Sequence, residues 1–193
     1  MSMVKILGIV GSPRRGGNTE IIVNNALEAA RSVGTETEII LLAENKVEPC
    51  DGCGVCSKTG KCRIDDDFER VFNKMTVADG LIFASPSYYE SMTPHMKALI
   101  DRSGTFNGSA HGRTKFDGKV AGAMSVARRT GLANVWTQQL LFILSHKMIV
   151  PGIKSYANAV GGAKGDVLND PEGMETSWDL GVAVAKLAQR LGT

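Results

Sequence analysis

Residues 4–33 read VKILGIVGSPRRGGNTEIIVNNALEAARSV, and the change of period inside this stretch decides the fold. Its first seven residues are almost all apolar and rich in β-branched types. A strand buried on both faces has that composition. Residues 11–19 then bring glycines, a proline and polar groups, and from residue 20 the apolar positions Ile22, Val23, Ala26, Leu27 and Ala30 recur at helical spacing. An amphipathic helix over 20–33 therefore follows a buried strand through a short glycine-rich loop.

The same alternation continues along the chain. Strands are expected at 38–42, 80–85, 119–126 and 148–150, and helices at 66–77, 94–102, 132–146 and 174–191. Residues 104–118, rich in Gly, Ser and polar types, are expected to form a surface excursion, and 151–173 to be irregular. Strands alternating with helices build a right-handed, doubly wound parallel α/β sheet with helices on both faces. Five strands with an anion-type loop after the first suit the flavodoxin-like arrangement, whose ligand sits at the switch point beside strands one and three. The length of 193 residues and the 43% hydrophobic content fit one domain, 1–193, with an inserted cysteine loop at about 47–64.

In the loop GSPRRGGNT, orphan N–H groups and the positive end of a helix dipole meet whatever anion binds there. Ser12, Asn18 and Thr19 add side-chain donors, Arg14 or Arg15 adds charge, and Gly17 leaves the backbone open. No Lys-Ser or Lys-Thr pair follows the glycines, so the loop is not a Walker sequence, nor is it GxGxxG. Donors of this kind suit the single terminal phosphate of FMN better than a pyrophosphate. A plain glycine turn with Asn18 or Thr19 as helix cap is the alternative.

Two further loops leave the same rim. SPSYYESMT, residues 85–93, offers Pro86, Ser87, Tyr88, Tyr89, Glu90 and Ser91 as an apolar and aromatic wall with polar edges, as a planar ring system requires, the alternative being tyrosines that serve only packing. ARRTGLAN, residues 127–134, adds Ala127, Arg128 and Arg129. An arginine there can face the pyrimidine side of a flavin or take the phosphate of a nicotinamide donor, or serve only solubility.

All four cysteines of the chain, Cys50, Cys53, Cys56 and Cys62, lie within thirteen residues in the spacing CxxCxxCxxxxxC. Four thiolates are the ligand count of a 4Fe-4S cluster and equally of a structural Zn site. The start of the chain lacks the apolar stretch of a signal peptide, and no segment reaches the roughly 18 apolar residues of a membrane span. A cytoplasmic protein is expected, in which clustered cysteines ligate metal rather than pair as disulfides. With 22 basic and 20 acidic residues and a net charge of +2, nothing argues for nucleic acid or an anionic membrane as partner. His95, His111 and His146 stand apart from any carboxylate or cysteine at catalytic spacing, and Asp65, Asp66 and Asp67 read as a solvated helix start. No catalytic acid, base or nucleophile is assigned.

Taken together, GSPRRGGNT, CDGCGVCSKTGKC, SPSYYESMTPHMKALIDR and the tail GGAKGDVLNDPEGMET resemble the iron-sulfur flavoprotein family, within the NADPH-dependent FMN reductase superfamily. The resemblance implies a flavin-dependent oxidoreductase with FMN on the C-terminal rim of the sheet. It places the phosphate on the loop of Ser12, Arg14, Asn18 and Thr19, and Pro86 to Ser91 along the ring. It implies a 4Fe-4S cluster on the four cysteines, ferredoxin or NAD(P)H as electron donor, and a homodimer or homotetramer in which one subunit's cluster lies near a neighbour's flavin. The other readings are an NAD(P)H-dependent FMN or quinone reductase whose cysteines hold Zn or nothing, a non-enzymatic electron carrier, and a phosphate-binding module without redox function.

Overall fold

The computed structural model describes residues 3–192, so Met1, Ser2 and Thr193 of the expected 1–193 domain lie outside the described residues. Strands β1 (Lys5–Val10), β2 (Glu36–Leu41), β3 (Gly80–Pro86), β4 (Val120–Ala127) and β5 (Asn158–Val160) form one sheet in the order β2-β1-β3-β4-β5. Every pairing is parallel. This is the flavodoxin-like α/β order. Its switch point lies between β1 and β3, where the chain departs to opposite sides of the sheet and a crevice opens beyond the strand ends.

Successive side chains of a strand point to opposite faces, so the central strands feed two cores. On one face Ile6, Val10, Ile82 and Ala84 meet Ile22, Val23 and Leu27 of α1 (Asn18–Ser32) and Leu180 and Val184 of α6 (Pro171–Leu191). On the other, Leu7, Ile9, Leu81 and Phe83 meet α3 (Phe68–Val77), α4 (Pro94–His111) and α5 (Leu132–Ser145) through Phe72, Met96, Leu99 and Phe142. The remaining helix, α2 (Val55–Thr59), is a single turn inside the cysteine segment. No helix among the described residues is long and apolar enough to cross a membrane.

Two stretches differ from the sequence expectation. Helix α4 does not stop at Arg102 but runs to His111, through the stretch expected as a surface excursion. Gly104 and Gly108 each cost a helix about 1 kcal/mol against Ala, yet Arg102, Ser103, Phe106 and Asn107 are all buried, and tertiary packing overrides the local preference. The helix ends where Gly112 takes the left-handed conformation, φ 58°.

The last strand is also displaced. Residues 148–150 make only an isolated parallel bridge, Ile149 to Val120, and β5 forms instead at Asn158–Val160 beside the far end of β4. Pro151 has no N–H to give a ladder and follows that bridge directly, so the chain leaves β4 and rejoins it when Ser125 N bonds Ala157 O. The stretch expected as irregular therefore carries β5, a 3-10 turn at Asp166–Asn169 and the first turn of α6.

Candidate functional site

At the C-terminal ends of β1, β3 and β4 lies a cleft of about 1090 Å³. Ser12, Arg14, Gly17, Asn18 and Thr19 line it from the first loop, Pro86, Ser87 and Tyr88 from the second, and Ala127 and Arg128 from the third. Gly17 caps α1 in extended conformation, and no side chain satisfies the first-turn N–H groups. Those donors open to the cleft at the positive end of the helix dipole, as an anion site requires. Within the loop Gly17 N bonds Arg14 O at 3.2 Å, and Ser12 Oγ accepts from Arg14 N at 3.1 Å. Accepting leaves the Ser12 hydroxyl proton free to donate.

Sequence reading missed one wall of this cleft. The segment after β5 returns across the sheet end and adds Gly161, Gly162, Ala163, Lys164 and Asp166 to the lining. Asn18 fastens it, its Nδ2 donating to Ala163 O at 2.7 Å and its Oδ1 accepting from Gly165 N at 2.8 Å. The side chain expected to donate to phosphate thus also holds a loop 145 residues away, through one of the two N–H groups of its amide. Asp166 Oδ2 braces that loop from below, accepting from Gly162 N and Ala163 N. Lys164 reaches the loop after β1: a Cβ on Gly16 would lie 2.7 Å from its Nζ. Arg128 runs along Gly162, where a Cβ would meet its Cγ at 3.2 Å. A lysine set between glycines in GGAKGD was the available signal.

The aromatic loop divides into lining and tip. Tyr88 and Ser91 exchange backbone hydrogen bonds of 2.8 and 3.1 Å, and Tyr89 and Glu90 between them hold φ of 47° and 66°. Two positive φ values make this a type I′ turn, a conformation usually left to Gly and Asn. Tyr89 stands fully exposed at its tip, Glu90 is exposed, and Ser91 Oγ donates to Gln138 Oε1. Pro86, Ser87 and Tyr88 face the cleft, whereas Tyr89, Glu90 and Ser91 do not line it. Buried Thr93 ties this loop to the first, its hydroxyl donating to Gly11 O and accepting from Met96 N.

The cysteines gather elsewhere. Cys50, Cys53, Cys56 and Cys62 all line one pocket, with Phe68, Arg102 and Phe106, and none is in a disulfide. The pocket shares no lining residue with the cleft. As a donor set, four free thiols suit a soft metal centre, but among the described residues no three of His, Cys, Asp or Glu are drawn close enough to hold an ion. Gly52, Gly54 and Gly60, all left-handed, shape the segment. Beneath it, Arg102 and Asp66 form an ion pair with side chains 2% and 1% exposed, so Asp66 is not part of a solvated helix start as expected but is buried against a cation. Burial works against the charged carboxyl of Asp66, but the Arg102 hydrogen bond and the N–H groups of Glu48 and Phe68 outweigh it and hold Asp66 below the usual carboxylate range.

The NADPH-dependent FMN reductase family model matches residues 4–161. An iron-sulfur flavoprotein of Methanocaldococcus jannaschii is 39% identical over 191 residues, 96% of this chain and 98% of that protein. One from Methanosarcina thermophila is 37% identical over 161 residues, 81% of this chain and 82% of the relative. Among solved structures, the Trp repressor binding protein from Bacillus subtilis superposes with a TM-score of 0.68 at 23% identity, covering 91% of this chain and 98% of that one. At that identity the likeness speaks for the fold alone.

Proposed function

Since the chain belongs to the iron-sulfur flavoprotein family, within the NADPH-dependent FMN reductase superfamily, we propose that it passes electrons between FMN in the cleft and a 4Fe-4S cluster on Cys50, Cys53, Cys56 and Cys62. It is a flavin-dependent oxidoreductase. The observation that carries the finer reading is that all four cysteines of the chain, free of disulfides, line one pocket apart from the flavin cleft. Bound FMN supplies two-electron and one-electron chemistry in one group, and a cluster carries one electron at a time.

The residues divide the work. The first-turn N–H groups of α1, with the hydroxyls of Ser12 and Thr19, hold the phosphate, and Arg14 and Lys164 add positive charge. Asn18 acts indirectly, by keeping the loop that carries Lys164 against the phosphate. Pro86, Ser87 and Tyr88 wall the ring, and Ala127 and Arg128 close the adjoining side, where a guanidinium favours a reduced, anionic ring. Reduced ferredoxin or NAD(P)H serves as donor in this reading. The separation of cleft and cysteine pocket goes with a homodimer or homotetramer that sets one subunit's cysteines beside a neighbour's flavin. A cytoplasmic location keeps the thiols reduced.

The test is the visible spectrum of anaerobically purified protein with iron, sulfide and Zn analysis. Flavin bands over a broad iron-sulfur absorption, with about four irons per chain, are expected. One Zn and no iron would overturn the cluster. For the cleft, Asn18→Ala removes two hydrogen bonds of about 1 kcal/mol each, so FMN should bind roughly 30-fold more weakly in a fluorescence-quenching titration. Affinity within twofold of the parent would mean that the loop after β5 does not grip the flavin.

A further inference from the structure

We infer that Arg102 is a positioning residue for Cys62 and that, paired with Asp66, it sets how readily the cysteine centre takes up an electron; the inference rests on the cluster reading above. Arg102 lies in α4, forty residues beyond Cys62, and the sequence pattern assigns it no role. In the fold it is 2% exposed. Its Nη1 donates to Asp66 Oδ2 at 2.5 Å and to Glu48 O at 3.0 Å. Its Nη2 donates to Cys62 Sγ at 3.2 Å and to Ile64 O at 3.4 Å. The guanidinium carbon stands 4.2 Å from the centroid of the Phe68 ring.

One planar group therefore holds both ends of the cysteine segment, Glu48 before Cys50 and Ile64 after Cys62, and presents an N–H to a sulfur. Gathering the chain ends does not require a charge, and burying a guanidinium is unfavourable unless it is paired and hydrogen-bonded. A lysine would offer a point charge in place of the fork that makes these four bonds. What the charge adds is electrostatic. Hydrogen bonds to cluster sulfurs and nearby positive charge both favour the more negative, reduced state.

Asp66 gives the arrangement its sign. Its carboxylate neutralises the guanidinium from Nη1 while Nη2 faces sulfur, so the pair turns its positive end toward Cys62. Removing either member must then move the reduction equilibrium in opposite directions. Arg102→Gln deletes the charged donor and leaves a buried carboxylate without its counter-charge, which disfavours the added electron. Asp66→Asn leaves the guanidinium uncompensated, which favours it. A clamp that only held the loop together would give the same sign for both.

The experiment is an anaerobic titration of the full chain with dithionite in the presence of redox mediators, each centre taking up one electron, followed by the electron paramagnetic resonance signal of the reduced centre. R102Q is expected to shift the reduction equilibrium at least tenfold toward the oxidised state, a midpoint about 59 mV lower for one electron. D66N is expected to shift it the other way, and R102K, which keeps the charge and a donor, to recover more than half of the R102Q shift. Should R102Q lose its iron, the sign of the D66N shift decides. Shifts of one sign in R102Q and D66N, or none at parental iron content, would overturn the inference and leave the cluster reading intact. So would loss of iron in both variants with no recovery in R102K. A parent protein that binds no iron would bring down both.

Discussion

Cys53→Ala should strip the protein of its iron and sulfide while leaving one FMN per chain. The visible spectrum of the variant is then that of flavin alone. The magnitude follows from the ligand count: a methyl group cannot replace a thiolate, and the chain has no fifth cysteine to take its place. That FMN survives follows from the fold, because the cysteine pocket and the flavin cleft have no lining residue in common. Cys53 is exposed, so the metal-free variant and the metal-free parent should unfold within about 0.5 kcal/mol of each other. Iron analysis beside flavin quantitation decides the matter. Loss of both groups would mean that the cysteine segment supports the whole rim.

Gly181→Ala should give the largest loss of stability of any single methyl added to this chain's helices. Helices α1 and α6 lie side by side on one face of the sheet, and Gly181 packs directly against the backbone of α1. A Cβ there would sit 2.0 Å from Ala26 O and 2.7 Å from Ala26 C. Both atoms belong to the backbone, so no rotamer can yield and the helices must separate, which disturbs the contacts of Leu180 and Val184 with the sheet. Overpacking of this kind costs about 3 kcal/mol or more, a fall of roughly 6–12 °C in Tm for a chain of this length. Gly152→Ala is the control, since a Cβ there meets nothing within 4 Å. Equal melting temperatures for the two variants would show that α1 and α6 are not in contact at this point.

The parts of the fold legible in the sequence are those whose signal is local. The runs that became β1, β3 and β4 are apolar because both faces of each strand are covered, and the helical spacing of Ile22, Val23, Ala26 and Leu27 records a single buried stripe. The glycine-rich loop between β1 and α1 announced a wall of the cleft by its position alone, and four closely spaced cysteines announced a common pocket.

Two errors share a cause. Residues 148–150 have the composition of a strand, but a strand exists only where a neighbour accepts its hydrogen bonds, and beyond Ile149 the chain turns away from β4. Gly104 and Gly108 look like helix breakers, but the buried flank of Arg102, Phe106 and Asn107 keeps α4 going. Asn18, expected among the phosphate donors, lines the cleft, and its bonds to Ala163 and Gly165 are a second role that no local pattern announces.

The alternating architecture, the loops that line the cleft at the C-terminal rim, and the set of thiols are legible in the sequence alone, because each depends on residues close together in the chain. Only the tertiary structure decided which side chains of the aromatic loop face the cleft, that a segment carrying Lys164 closes it, and that Arg102 is a buried cation against Cys62. Those facts depend on distances between residues 40 to 147 positions apart. Burial and hydrogen bonding assign a side chain its role after the chain has folded, and no local pattern encodes which distant backbone it will meet.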